Sequence, residues 1–329
     1  MTRLHNTCKL PPERLNHEGK VRKVGIEIEM AGLTPLHIVA AVKRHFGGDE
    51  SLQGSLEYGV LDTRLGDFTI ELDSSPVKKA YQQACEMRLP SPLDDAGGII
   101  KDLAENWVPW ELVTPPVPVT QLDAINELVA DLRDQGALGT HKAPQYAFGM
   151  HLNPDLPDLE TSTILRHLQA YLCLYDGIVA RERPNFARKL TPHIRHFDEN
   201  YIRKVIADDY APDLDTLIGD YVEHNPTRNR SLDLLPLFKH LREKTIVREM
   251  NDPRIKARPT FHFRLPNSDI DNPNWGIHIA WHEWLAVEWL AADEERLAQM
   301  CSAYSEELDR FGHHLDSQWE ARAEEALSQ

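Results

Sequence analysis

Val24-Gly25-Ile26-Glu27-Ile28-Glu29-Met30 alternates residue by residue, and period-two alternation is the pattern of a β-strand with one face in a core. Val24, Ile26, Ile28 and Met30 then pack inward while Glu27 and Glu29 stand together on the opposite face. Same-face neighbours on a strand lie roughly 7 Å apart, given a rise of about 3.3 Å per residue. That spacing suits shared metal ions or a reacting bond held between two carboxylates. It suits a solvated strand face equally well, and the segment alone does not choose.

Four further segments repeat the pattern: Phe68-Thr69-Ile70-Glu71-Leu72-Asp73, Trp110-Glu111-Leu112-Val113, the run from Ala147 to Pro154, and Phe261-His262-Phe263-Arg264-Leu265. If these strands share one sheet with helices over its apolar side, the polar side collects Glu27, Glu29, Glu71, Asp73, Glu111, His151, Asn153, His262 and Arg264. Carboxylates packed together disfavour one another's ionised forms unless cations neutralise them. Carboxylates with a histidine and no thiolate suit a hard ion such as Mg²⁺ or Mn²⁺. Taken singly, His262 reads as a structural hydrogen-bonding histidine rather than a ligand, and Asp73 reads equally as a cap for the turn before Pro76.

Composition narrows the classes. Lys and Arg are outnumbered 36 to 52 by Asp and Glu, a formal charge of -16, which argues against a nucleic-acid-binding surface. Cys8, Cys85, Cys173 and Cys301 form no CxxC pair, so neither a zinc knuckle nor a redox motif is supported, and a reducing cytoplasm is the expected home. No apolar run reaches the length of a signal peptide core or a membrane span.

Residues 1–20 read as a polar lead-in or mobile tail. Thr34 and Pro35 predict a helix start, with Gly47-Gly48 ending it after Phe46. Thr63-Arg64-Leu65-Gly66-Asp67 predicts the turn of a hairpin over residues 56–73. Helices are expected at about 77–88, 92–106, 120–135 and 158–182, with the prolines of Thr114-Pro115-Pro116-Val117-Pro118 forcing an extended exit from the short strand before them. A polar, arginine-rich stretch with short helices follows, Trp275–Leu290 reads as core packing, and residues 291–329 read as a charged helical arm.

Five of these motifs, VGIEIE at Val24–Glu29, ELVTPP at Glu111–Pro116, FGMHLNP at Phe148–Pro154, NPTRNRSLDLLPLF at Asn225–Phe238 and FHFRLP at Phe261–Pro266, occur in an order and spacing that resembles the amidoligase family of the carboxylate-amine ligases. That superfamily includes glutamine synthetase and glutamate-cysteine ligase. The resemblance implies an α+β fold, a glutamine synthetase-like antiparallel sheet with a concave polar catalytic face and helices on the other. It runs over residues 21–290, with 183–258 as a helical insertion. By the same resemblance Glu27 and Glu29 are catalytic and, with Glu71, Glu111 and His151, bind metal; Arg264 meets transferred phosphate or a substrate carboxylate; and Asn153, Arg183, Arg228 and Arg230 contribute to ATP or substrate binding. ATP and Mg²⁺ or Mn²⁺ are the implied cofactors, an acyl phosphate the implied intermediate, and a small or peptide carboxylate and an amine the implied substrates. The amine supply points to pairing with a glutamine amidotransferase or a γ-glutamyl-cleaving enzyme, and the chain's own oligomeric state is open. The rival readings are a glycoside or metal-dependent hydrolase, because a separation of roughly 7 Å also fits inverting glycosidases, and a catalytically silent binding protein of the ligase fold. The hydrolase accounts poorly for so many acidic and basic strand positions.

Overall fold

The computed structural model describes residues 7–54, 56–72, 110–140, 148–182, 196–311 and 317–327. Asp73, Arg183 and the helices expected at 77–88 and 92–106 lie outside the described residues. Among the described residues seven strands form one antiparallel sheet: β1 (Lys23–Met30), β2 (Asp49–Gly54), β3 (Glu57–Thr63), β4 (Gly66–Leu72), β5 (Trp110–Val113), β6 (Val117–Pro118) and β7 (Met150–Pro154). Their order is β2-β3-β4-β5-β1, with β6 continuing beyond β5 along the same edge of β1 and β7 on its other edge.

Local chemistry explains the strand breaks. Pro115 and Pro116 have no N–H to donate, so β5 leaves the ladder; the Thr114 hydroxyl takes the N–H of Ile26 at 3.0 Å before β6 rejoins. The β3–β4 hairpin turns at Arg64-Leu65, as its turn residues predict. β2 has no counterpart in the alternation. It is an edge strand, Asp49–Gly54, paired on one side only; Asp49, Glu50 and Leu52 are exposed and Ser51 is half-buried, so no buried apolar set alternates along them. The strand expected at Phe261–Leu265 is instead a series of isolated bridges. Leu152 pairs with Phe263, Asp155 with Thr260, and Leu232 with Phe263 in turn, which extends the sheet's pairing outward from β7.

Most of the apolar side forms one core, and Phe148 packs apart from it with Ala31 and Leu138. Ile26, Ile28, Phe68, Ile70, Leu72, Met150, Leu152, Phe261, Phe263 and Leu265 are all buried in the main core. Helix α1 (Pro35–Phe46), capped by Thr34 and started by Pro35, packs on β2, β3 and β4 and against α2 (Asp123–Asp134). Helix α3 (Thr161–Glu182) is the central helix of the remainder. Four short helices, α4 (Glu199–Val205), α5 (Leu214–His224), α6 (Leu235–Leu241) and α7 (Glu243–Met250), follow it. α4 and α5 pack on α3, as do α8 (His278–Ala292), α9 (Glu294–Phe311) and α10 (Ser317–Ala326). Trp284 of α8 meets the rings of Phe261 and Phe263 at 5.3 and 5.7 Å, which joins this helical layer to the sheet. The described part of the N-terminal segment is tied down rather than loose. Trp281 Nε1 donates to the Lys9 carbonyl at 2.8 Å, and the Cys8 N–H donates to Asp123 at 2.7 Å.

Candidate functional site

Strand register decides which carboxylates meet. Glu29 lies opposite Glu111, Glu111 opposite Glu71, and Glu71 opposite Glu57. Four half-buried glutamates therefore form one line across β1, β5, β4 and β3, with neighbouring strands about 4.8 Å apart. Like charges directly opposite one another destabilise a sheet, so such a line needs compensation. None of Glu29, Glu71 and Glu111 is without a partner, and Glu29 Oε2 accepts the Gly149 N–H at 2.6 Å.

One same-face step along β1, the chemistry changes. Glu27 lies opposite His151, and His151 Nδ1 stands 2.9 Å from Glu27 Oε2. Asn153 Nδ2 donates to Glu27 Oε1 at 3.0 Å, and His262 Nδ1 stands 2.6 Å from Asn153 Oδ1. An amide oxygen only accepts, so His262 carries its proton on Nδ1 and keeps the lone pair on Nε2. The Arg258 guanidinium completes the set at 3.1 Å from Glu27 Oε1. Burial alone raises the Glu27 carboxyl, but the hydrogen bond from His151 and the cationic surroundings outweigh it and hold the group well below the usual carboxylate range. Burial pushes His262 well below the usual histidine range, against the pull of Glu27.

Of these groups Glu27, Asn153 and Arg258 line a cavity of about 400 Å³ whose walls also include Gly25, Val113, Pro116 and Thr260. A larger groove of about 830 Å³ between α3 and α9 contains none of the sheet residues.

The structure places the sequence-predicted residues unevenly. Glu27, His151 and Asn153 are joined by hydrogen bonds, and Glu29, Glu71 and Glu111 share the glutamate line. Arg264 takes the position beside His151 that follows from the Leu152–Phe263 pairing, and its Nη1 donates to the Arg228 carbonyl at 3.0 Å. Arg228 has its pKa lowered, first by burial, beside Asp233, a fully buried acid that burial raises to about 6. Arg230 turns elsewhere. Its Nε donates to Asn225 at 2.7 Å, and its guanidinium lies over the Phe197 ring. Three residues of the constellation were not foreseen as site residues. His262 reads locally as structural, Arg258 sits in a stretch without periodicity before Pro259, and Glu57 follows a polar edge strand. Only the Phe-His-Phe alternation, which puts His262 on the polar face, offers a signal.

The donor chemistry fits divalent cations: a line of carboxylates, and a carboxylate with two imidazoles at hand. Residues 20–286, which include every residue named in the glutamate line and the Glu27 cluster, match the family described as "Putative amidoligase enzyme". No curated protein and no solved structure matches the chain. Among the described residues no helix is long and apolar enough to cross a membrane.

Proposed function

The chain belongs to the amidoligase family, and on that premise we propose that it is an ATP-dependent carboxylate-amine ligase of glutamine synthetase-like fold that works through an acyl phosphate. The observation that carries this reading is the pairing, on one polar face, of the four-glutamate line with the Glu27 cluster beside a cavity. A two-carboxylate hydrolase has no use for so many aligned acids.

In this reading Glu27, Glu29, Glu71, Glu111 and His151 hold divalent cations, Mg²⁺ or Mn²⁺. Bound there, the cations neutralise phosphate charge and make the terminal phosphorus a better electrophile. The protein's own part is positioning. Arg264 and Arg258 offer guanidinium forks to a substrate carboxylate or to the phosphoryl group in transit. The substrate carboxylate attacks the γ-phosphorus, the bond to ADP breaks, and the resulting acyl phosphate is attacked by an amine. Phosphate leaves as the C–N bond forms and the amine gives up a proton. In this reading Arg264 stabilises the charge that develops on the carbonyl oxygen. The nucleotide needs no glycine-rich loop in this scheme. A cytoplasmic setting and supply of the amine by an ammonia-releasing or γ-glutamyl-cleaving enzyme complete the reading.

The purified protein is expected to bind ATP only with Mg²⁺ or Mn²⁺, and Glu27→Gln combined with Glu29→Gln is expected to abolish that binding in calorimetry. Unchanged nucleotide binding by the double variant would sink the assignment. Released ADP that depends on both a carboxylate and an amine, in a screen of pooled amino acids, polyamines and peptides, identifies the substrates.

A further inference from the structure

The two halves of the polar face offer different atoms to a cation. The glutamate line presents oxygen only. One step away, one potential ligand atom from each of Glu27, His151 and His262 lies within 4.8 Å of the other two. Donors on a single ion are at most about 4.2 Å apart, twice a metal–nitrogen bond of about 2.1 Å, so a small side-chain adjustment brings all three onto one centre.

From this we infer that Glu27, His151 and His262 form a nitrogen-rich site for a divalent transition-metal ion, one that prefers Mn²⁺ to Mg²⁺ and is distinct in donor type from the glutamate line. Mg²⁺ is hard and holds oxygen ligands and water, whereas imidazole favours transition ions. Two imidazoles with one carboxylate give selectivity that the all-oxygen line lacks.

The surroundings are built for ligands rather than for a stray ion pair. Asn153 touches two members at once: its Nδ2 donates to Glu27 Oε1 and its Oδ1 accepts from His262 Nδ1. Such outer hydrogen bonds orient ligating groups and select the tautomer, here directing the His262 Nε2 lone pair away from Asn153. His262 is buried and meets His151 edge to face with ring centroids 5.2 Å apart. Arg258 is the cation now beside Glu27. Its side chain is 43% exposed, which leaves it free to give way to an entering ion.

The inference deepens the ligase reading and rests on it for the ion's role, not for its binding. The test is pulsed electron paramagnetic resonance of the full chain loaded with Mn²⁺ in the absence of nucleotide. Two imidazole nitrogen couplings are expected in the wild-type protein and one in His262→Gln. By calorimetry, His262→Gln is expected to lose at least the roughly tenfold in Mn²⁺ affinity that loss of an outer hydrogen-bond partner costs, while Mg²⁺ affinity stays nearly unchanged. One coupling or none in the wild-type protein, or equal affinity for Mn²⁺ and Mg²⁺, overturns the inference. The wild-type spectrum decides even if the variant misfolds. Two couplings without ATP-dependent amide formation would count against the ligase reading alone; amide formation with Mg²⁺ and no nitrogen coupling would count against this inference alone.

Discussion

Two arginine–glutamate pairs flank β1, and they differ in everything but composition. Arg22, just before the strand, meets Glu288 of α8 through two hydrogen bonds of 2.8 and 2.7 Å, with both side chains 1% exposed. Its other donors reach the carbonyls of Glu13 and Asp155, and Glu288 also accepts Trp284 Nε1 at 2.7 Å. Arg258 meets Glu27 through a single contact and is partly in solvent. Each glutamate receives three donors, yet only the first pair is closed to replacement. A fully desolvated, two-point pair locks N-terminal chain, strand and helix together. A one-point pair at a cavity mouth leaves its carboxylate available for another cation.

The largest effect expected from breaking this contrast is at Arg22. Arg22→Met strands a buried carboxylate and should cost about 3–5 kcal/mol in urea unfolding. A loss below about 1 kcal/mol, the range of exposed pairs, would erase the distinction between the two.

Asp155 lies between the pairs. Its carbonyl accepts Arg22 and its side chain walls the cavity. Burial, only partly offset by the Lys23 N–H and Arg22, raises its carboxyl from 3.8 to about 6. The folded state therefore binds the proton more tightly than the unfolded one. The stability this group contributes is fully present below the unfolded value near 4 and is lost as pH rises through about 6. Asp155→Asn should remove that loss, leaving the variant about 2 kcal/mol more stable than wild type at pH 8 and level with it near pH 4. Parallel pH–stability curves for the two proteins would refute this.

The smallest effect belongs to Arg258. Arg258→Ala should change unfolding stability by less than about 1 kcal/mol, and should tighten Mn²⁺ binding measured by calorimetry, because it removes the competing cation from Glu27. Weaker Mn²⁺ binding would make Arg258 a supporting residue instead of a displaceable one.

Much of the site was legible locally. A strand's period of two puts Glu27 with Glu29, and His151 with Asn153, on a shared face whatever the rest of the chain does, and the apolar partners Ile26, Ile28, Met150 and Leu152 are buried as that pattern requires. Thr34-Pro35 and Gly47 likewise mark the ends of α1 by their own conformational preferences. β2 was not legible, since Asp49, Glu50 and Leu52 are exposed and no buried apolar set alternates along them. Arg258 was not either: it reaches Glu27 across 231 residues of chain from a stretch without regular structure.

By itself, then, the sequence determined which side chains share a face within each strand, because that follows from backbone geometry over a few residues. Only the tertiary structure decided which faces meet. The register that lines up Glu57, Glu71, Glu111 and Glu29, and the pairing that brings His262 through Asn153 to Glu27, arise from hydrogen bonds between segments up to more than a hundred residues apart. A one-residue slip in any of them would move these side chains to the opposite face.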